Sequence, residues 1–436
     1  MISCDKLLLA IEEGDTDKFE ALLDRLKKHS KKDKADSLRY IIHHLFSYIS
    51  EKSRSVKFLS RLFDEEASQN NLGHNSQHLL KNLFRALNDD PELCASIAEL
   101  FLKHGLDLND PTAVYEAVKC CLPSVVQKFL DTGYNPNTLY TFQDRSEFRY
   151  ILNAAISRIN CCRIEGNPQL YQLACEVARV LLEGGADPNL SVDDPDGMAA
   201  IFYCEEPSTV QLLLDYGANV DVRGPNERRM LDISIIDDDI DMARFLLEHG
   251  ADPNLRDTYG CSTIFYAHSE EAIRLLASHG AELNILSDKG NMPLIQVYSH
   301  LIPALIEAGA DLNFRDKQGR TALHLCCRHT IPSSRIIQSL IQAGADLNAR
   351  DDCGMTPFLT LMFSKAWQHY GMYMGDLAEF MVEHGADIYA KDSSGRSIFD
   401  IKSQAMVPII NRIKEMNEHI RTREQVLEED TDTFAR

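Results

Sequence analysis

Over most of its length the chain alternates between short segments with apolar residues at i, i+3 and i+4 and polar stretches marked by glycine and aspartate. Val210/Leu213/Leu214, Met242/Phe245/Leu246, Ile273/Leu276 and Ile337/Leu340/Ile341 each put their apolar side chains on one helical face. The pattern predicts short helices buried on one side. A glycine follows each of them, where a left-handed residue can end the helix at little cost because there is no Cβ. Some seven to ten residues later comes a turn of the form Asp-x-x-Gly, at Asp257–Gly260, Asp316–Gly319, Asp351–Gly354 and Asp392–Gly395. A further helix is predicted just after each turn. In Gly354-Met355-Thr356-Pro357-Phe358 the threonine suits the N-cap and the proline the first helical position, where no intrahelical N–H bond is lost.

The helix-ending glycine opens a phrase that recurs: GADPN at 185–189 and 250–254, GADLN at 309–313 and 344–348. Variants begin at Gly217, Gly280 and Gly385, with worn copies at Gly105 and Gly133. From Gly185 onward successive glycines are 32, 33, 30, 29, 35 and 41 residues apart. A period near 33 is the mark of a solenoid built from one repeated supersecondary unit. Two places depart from it. The 52 residues between Gly133 and Gly185 imply an insertion of about 19, near 138–168. The 41 between Gly344 and Gly385 place extra residues near 362–376, a stretch with the chain's single tryptophan, Trp367, and with Tyr370 and Tyr373. That stretch reads either as a partner-contacting insertion, since aromatic residues are enriched at interface centres, or as a lengthened first helix whose Trp and Met pack internally.

Together these phrases resemble the ankyrin repeat: a hairpin turn, a first helix announced by TPLHxA, a second helix ending in a leucine run, then GADxN. TALHLC at 321–326 and TPFLTL at 356–361 are near matches, and Ile201-Phe202-Tyr203 and Ile264-Phe265-Tyr266 stand in the same slot. Phe202 and Phe265 replace the family's histidine, which implies interfaces there that rely on packing. The resemblance implies an all-α fold, an ankyrin-repeat solenoid of stacked helix-turn-helix units with short β-hairpin-like loops. It is strong over 185–400, fair from 107 and weak before that. The domain reading is 1–106 as divergent helical repeats or a cap, with a separate small helical domain as the alternative; 107–423 as the array; and 424–436 as an acidic tail after a last helix ending near Arg421.

Composition narrows the function classes. Hydrophobic residues make up 44% of the 436, enough for a core. The formal net charge of -21 repels phosphate backbones and anionic lipid, so nucleic acid is excluded as an expected partner. Nothing reaches the length of apolar run that a membrane span needs, and the N-terminal stretch lacks a basic leader and a small-residue cleavage site. The 12 cysteines are scattered, include the adjacent pairs Cys120/Cys121, Cys161/Cys162 and Cys326/Cys327, and form no CxxC. A reducing, cytoplasmic setting is expected.

No catalytic, cofactor or metal site is expected. Cys326-Cys327-Arg328-His329, with His324 just before it, is the densest candidate for a hydrolase, but His324 and Cys326 occupy repeat positions that cap and pack. His104, His249, His279 and His384 each precede a repeat glycine, at a helix C-terminus where a partly charged imidazole suits the dipole. Asp237-Asp238-Asp239 lacks the ligand spacing of a calcium loop and reads as a turn between helices. There is no Gly-rich phosphate loop, HExxH or GxSxG.

The family resemblance implies a concave face of hairpin tips and first helices that binds a protein partner. On this chain those tips carry Arg223, Arg256, Tyr259, Phe314, Arg315, Lys317, Arg350 and Lys391, a basic and aromatic row on an acidic molecule. Alanine at Arg256, Phe314, Arg315 and Arg350 together is expected to abolish capture of an acidic or mixed-charge protein segment without lowering stability. No small-molecule substrate is expected. The acidic segment from Glu424 resembles the C-terminal translocation signals of effectors that some bacteria inject into host cells, which implies delivery into a host cytosol. The other readings are a substrate adaptor docking through its N-terminal region to a larger enzyme complex, and an enzyme with a cryptic N-terminal catalytic domain.

Overall fold

The computed structural model describes residues 111–139, 150–191, 198–329, 332–365, 367–404 and 406–434, and eleven positions before them, Ser96 among them. Most of the expected N-terminal helices, over 36–104, thus lie outside the described residues, as does His104. Of the earliest segment, Ala10 and Phe19 are fully buried, and Asp15 accepts the Lys18 N–H at 2.9 Å at the start of a helical stretch. The chain divides into two compact units, Met1–Pro225 and Asn226–Arg436. Among the described residues every regular element is helical.

In the first unit, α1 (Pro111–Lys119) and α2 (Pro123–Asp131) pair, followed by α3 (Ile151–Ile164) and α4 (Pro168–Glu183). The latter two run to 14 and 16 residues against nine for each of the former, so part of the expected insertion is spent on longer helices. A 3₁₀ turn (Ala200–Tyr203) and α5 (Pro207–Asp215) follow. Prolines at the first turn of α2, α4 and α5 sit where their missing N–H costs nothing. Val125, Val126 and Phe129 of α2, and Leu181 and Leu182 of α4, form the buried face that the periodicity predicts.

The second unit repeats the motif: α6 (Met230–Ile236) with α7 (Ile240–Glu248); a 3₁₀ turn (Thr263–Tyr266) with α8 (Glu270–Ser278); α9 (Pro293–Gln296) with α10 (Ile302–Glu307); α11 (Ala322–Arg328) with α12 (Ser334–Gln342); and α13 (Pro357–Met362) with α14 (Trp367–Glu383). A 3₁₀ turn (Ile398–Asp400) and α15 (Val407–Phe434) close it. Outside the 41-residue repeat, whose first helix has six residues, the length of the first helix follows the period. Repeats 29, 30 and 32 residues long keep only a four-residue first helix or 3₁₀ turn, whereas those of 33 and 35 keep seven residues. The helix expected after the hairpin is reduced to a single 3₁₀ turn at Thr263–Tyr266 and at Ile398–Asp400, as is the first helix of the repeat at Ala200–Tyr203.

Two further expectations change. The insertion near 362–376 lengthens the second helix of its repeat, not the first: α14 has 17 residues and kinks at Tyr370 (φ -126°). The last helix does not stop near Arg421 but continues as α15 through the acidic segment to Phe434. Asp237–Asp239 form the turn joining α6 to α7, as expected; Asp238 takes a left-handed φ of 56° and Asp239 caps α7 by accepting the Met242 N–H at 3.0 Å.

Candidate functional site

The hairpin turns are built by their aspartates. Oδ1 of Asp257 accepts the N–H groups of Tyr259 and Cys261; Asp316 does the same for Gln318 and Arg320, Asp351 for Cys353 and Met355, and Asp392 for Ser394 and Arg396. Each carboxylate thereby fixes a five-residue loop without help from a partner molecule. Arg320 and Arg396 add guanidinium bonds to Oδ2 of Asp316 and Asp392. Burial alone would raise the Asp316 carboxyl, but the bonds from Arg320 outweigh it and hold the group below its ordinary value.

Neighbouring hairpins are joined edge to edge. The N–H of Asp288 donates to Tyr259 O, that of Asp352 to Gln318 O and that of Ser393 to Cys353 O, at 2.9 to 3.1 Å. Three of the arginines read from sequence as binding tips reinforce this row. Arg256 Nη1 donates to Leu286 O, Arg315 Nη1 to Arg350 O, and Arg350 Nη1 to Lys391 O. Their guanidinium groups are therefore structural staples between repeats, although all three side chains are exposed. Phe314 beside them is half-buried. Alanine at those four positions will accordingly cost stability, contrary to the expectation from sequence. Tyr259, Lys317 and Lys391 are exposed and make no such link, and Arg223 is exposed in the first unit. Lys289, which stands over the Tyr259 ring at 5.9 Å, belongs to the same face and escaped the sequence reading because its turn, Ser287–Gly290, lacks the aspartate.

The asparagine of GADxN has a role that only the structure reveals. Asn189 Nδ2 donates to Gly217 O while its Oδ1 accepts the Asn219 N–H; Asn137, Asn254 and Asn348 make the same pair of bonds to the next glycine phrase. At the end of the hairpin loop, the cross-repeat bond of the family histidine is made by His324, whose Nε2 lies 3.0 Å from Met355 O while Nδ1 meets Thr321. Burial lowers its pKa, so the ring is held neutral. Asn153 of α3 fills this slot with Nδ2 donating to Met198 O, and Asp232 of α6 fills it by accepting the Thr263 hydroxyl. Phe202 and Phe265 make no side-chain hydrogen bond; Phe265 is buried, and the Phe202 ring lies so close to Gly224 that a Cβ there would stand 2.7 Å from it.

The aromatic insertion is tied down. Trp367 Nε1 donates to Leu361 O at the end of α13, and the Tyr373 hydroxyl donates to Pro332 O and accepts the Ser334 N–H at the start of α12. Tyr370 and Tyr373 remain exposed. The structure thus keeps Tyr259, Lys289 and Lys317 within one stretch of hairpins and places the insertion on helices.

The hydrolase candidate dissolves. Cys326 and Cys327 are buried, and desolvation pushes the Cys326 thiol up to about 12, away from a nucleophilic thiolate. His249, His279 and His384 turn Nδ1 to the carbonyl four residues back, at 2.8 to 3.0 Å, capping their helices. Among the described residues no group of histidine, cysteine and carboxylate side chains is arranged to hold a metal ion, and no helix is long and apolar enough to cross a membrane.

The chain is similar in sequence to known proteins. The chain is 26% identical over 148 residues to the putative ankyrin repeat protein L371 of Acanthamoeba polyphaga mimivirus, covering 31% of this chain and 19% of that one. It is 32% identical over 136 residues to the putative ankyrin repeat protein FPV115 of fowlpox virus, covering 30% and 24%. It thus spans less than a quarter of the length of either relative. Among solved structures, the ankyrin repeat domain of Bcl-3 aligns with a TM-score of 0.40 and 23% identity, over 52% of this chain and 97% of that one. The family model for ankyrin repeats matches residues 169–257, 262–351 and 296–392, together just over half of the sequence, and the chain belongs to the ankyrin-repeat family.

Proposed function

We propose that this protein is an interaction scaffold that holds a partner protein against the hairpin edge of its repeats. The observation that carries this reading is that exposed Tyr259, Lys317 and Lys391 stand on turns already locked by aspartate caps and arginine staples. A partner that binds them orders little backbone, which lowers the entropic cost of association. Tyrosine is enriched at interface centres, and a cationic edge on a chain of net charge -21 selects partners with acidic segments. The exposed rings of Tyr370 and Tyr373, held by a helix tied down at Trp367, offer a second contact.

The test uses the full chain, immobilised and exposed to eukaryotic cell lysate, beside the variant Tyr259→Ala/Lys317→Glu/Lys391→Glu. A partner retained by the native chain and depleted about tenfold by the variant, at an unchanged unfolding midpoint, is the expected result. Equal capture by both removes the hairpin edge from the function. The narrower reading, an effector delivered into a host cell, draws its support from the acidic composition of Glu424–Arg436. Translocation that survives deletion of those residues sinks it.

A further inference from the structure

The row of hairpins has one open step. Between Ser287–Gly290 and Asp316–Gly319 the edge bond is missing: neither the Lys317 N–H nor the Lys289 carbonyl has a backbone partner, although the equivalent groups are paired at the three steps Tyr259 to Asp288, Gln318 to Asp352 and Cys353 to Ser393. The staple is missing as well, because Leu286 occupies the position held by arginine at 256, 315 and 350. Glycine contacts report the same gap independently. A Cβ on Gly260, Gly319 or Gly354 would meet the next hairpin at 2.2 to 2.8 Å, whereas a Cβ on Gly290 would meet nothing within 4 Å. A cleft of about 740 Å³ opens there, with Arg256, Lys289, Lys317 and Arg320 around it against the carboxylates of Asp288 and Asp316, and half-buried Phe314 in its wall. Arg320 already neutralises Asp316 at 2.6 Å, while neither lysine makes an ion pair.

We propose that this wedge receives an extended acidic peptide segment of a partner protein, which supplies the missing strand edge between the two hairpins. The proposal rests on the scaffold reading above and deepens it by naming the ligand chemistry. A peptide backbone alternates N–H and C=O groups, so one extended segment can satisfy both the Lys317 donor and the Lys289 acceptor, as in β-strand addition. Its side chains point alternately to opposite sides, so glutamates on one side meet the lysines while apolar residues on the other meet Phe314. A nucleic acid strand has no N–H/C=O alternation to fit the two unpaired groups, and the field of the whole chain opposes its approach.

The probe is a fluorescein-labelled decapeptide alternating glutamate with valine or threonine, titrated by anisotropy into the full chain. Its lysine-for-glutamate counterpart and a decathymidine oligonucleotide are run beside it. The acidic peptide is expected to saturate, and the other two are not. Leu286→Arg, which supplies the absent staple and closes the wedge, and Lys289→Glu, at an exposed position, should each weaken binding about tenfold or more. Equal binding of the acidic and basic peptides, preference for the oligonucleotide, no binding, or undiminished binding by Lys289→Glu at a native unfolding midpoint overturns the proposal. If the peptide fails while lysate capture still depends on Tyr259, Lys317 and Lys391, the wedge falls and the scaffold stands; the converse pattern removes the scaffold edge alone.

Discussion

The repeats that begin at Asp257 and at Asp316 start from the same turn and solve the same packing problem differently. In the later one, Thr321 and His324 form a reciprocal cap, α11 extends for seven residues, and the imidazole bonds across to Met355 O. In the earlier one Phe265 fills the histidine slot, no side-chain cap is present, and the helix shrinks to the 3₁₀ turn Thr263–Tyr266. Both bury the slot residue. The difference shows that a repeat interface tolerates the loss of its polar link when an aromatic ring fills the space, and in this pair the repeat whose first N–H groups are capped has the longer first helix. The shorter helix then shortens the repeat.

The largest expected effect tests a third occupant of that slot. Arg229 and Asp232 are 2% and 1% exposed, with Nη1 3.5 Å from the carboxylate, and Arg229 Nη2 donates to Arg256 O. Asp232→Ala strands a buried guanidinium and should cost about 3–5 kcal/mol in urea unfolding; a loss below 1 kcal/mol would show that the site relaxes as Phe265 allows. Next is His324→Phe, which copies the earlier repeat into the later one. It leaves Thr321 and Met355 O without their partner and is expected to cost about 1–3 kcal/mol, while Phe265→His should gain nothing unless an acceptor comes into reach.

The pH dependence sharpens the same contrast. Burial lowers the His324 pKa, so the unfolded chain binds the proton more readily. Its contribution to stability is complete above its ordinary value near 6.5 and is lost as pH falls from there toward the folded value. His324→Phe should flatten the unfolding midpoint between pH 7 and 5; an unchanged slope would reassign the titration to another group. The smallest effect compares hairpins. Alanine is strained at both Gly319 (φ 72°) and Gly290 (φ 76°), but only at Gly319 does its Cβ strike the next hairpin, 2.6 Å from Asp352 Oδ1. Gly319→Ala should therefore be about 1 kcal/mol worse than Gly290→Ala. Equal losses would mean that the open step closes in solution.

Much of the fold was readable in the sequence because the code is local. Helix-face periodicity, the glycine that stops a helix and the aspartate that closes a turn each act within a few residues, so Leu213, Gly250 and Asp316 declare their roles without knowledge of their neighbours. The repeat period followed from their recurrence, and the family from the resemblance of the repeated phrases to a known pattern. What lies between repeats did not. Whether an exposed arginine is a binding tip or a staple depends on a carbonyl about 30 to 41 residues away, as at Arg256 and Arg350. The asparagine of GADxN was visible as a recurring letter, but the two groups it bonds belong to the next repeat. Likewise the open step beside Leu286 is a property of two hairpins together. The sequence by itself determined the helices, the turns and the repeat architecture, because those are set by short-range backbone chemistry; the tertiary structure alone decided which polar side chains are spent on holding repeats together and which stay exposed without such a link, because that division depends on groups brought near only by stacking.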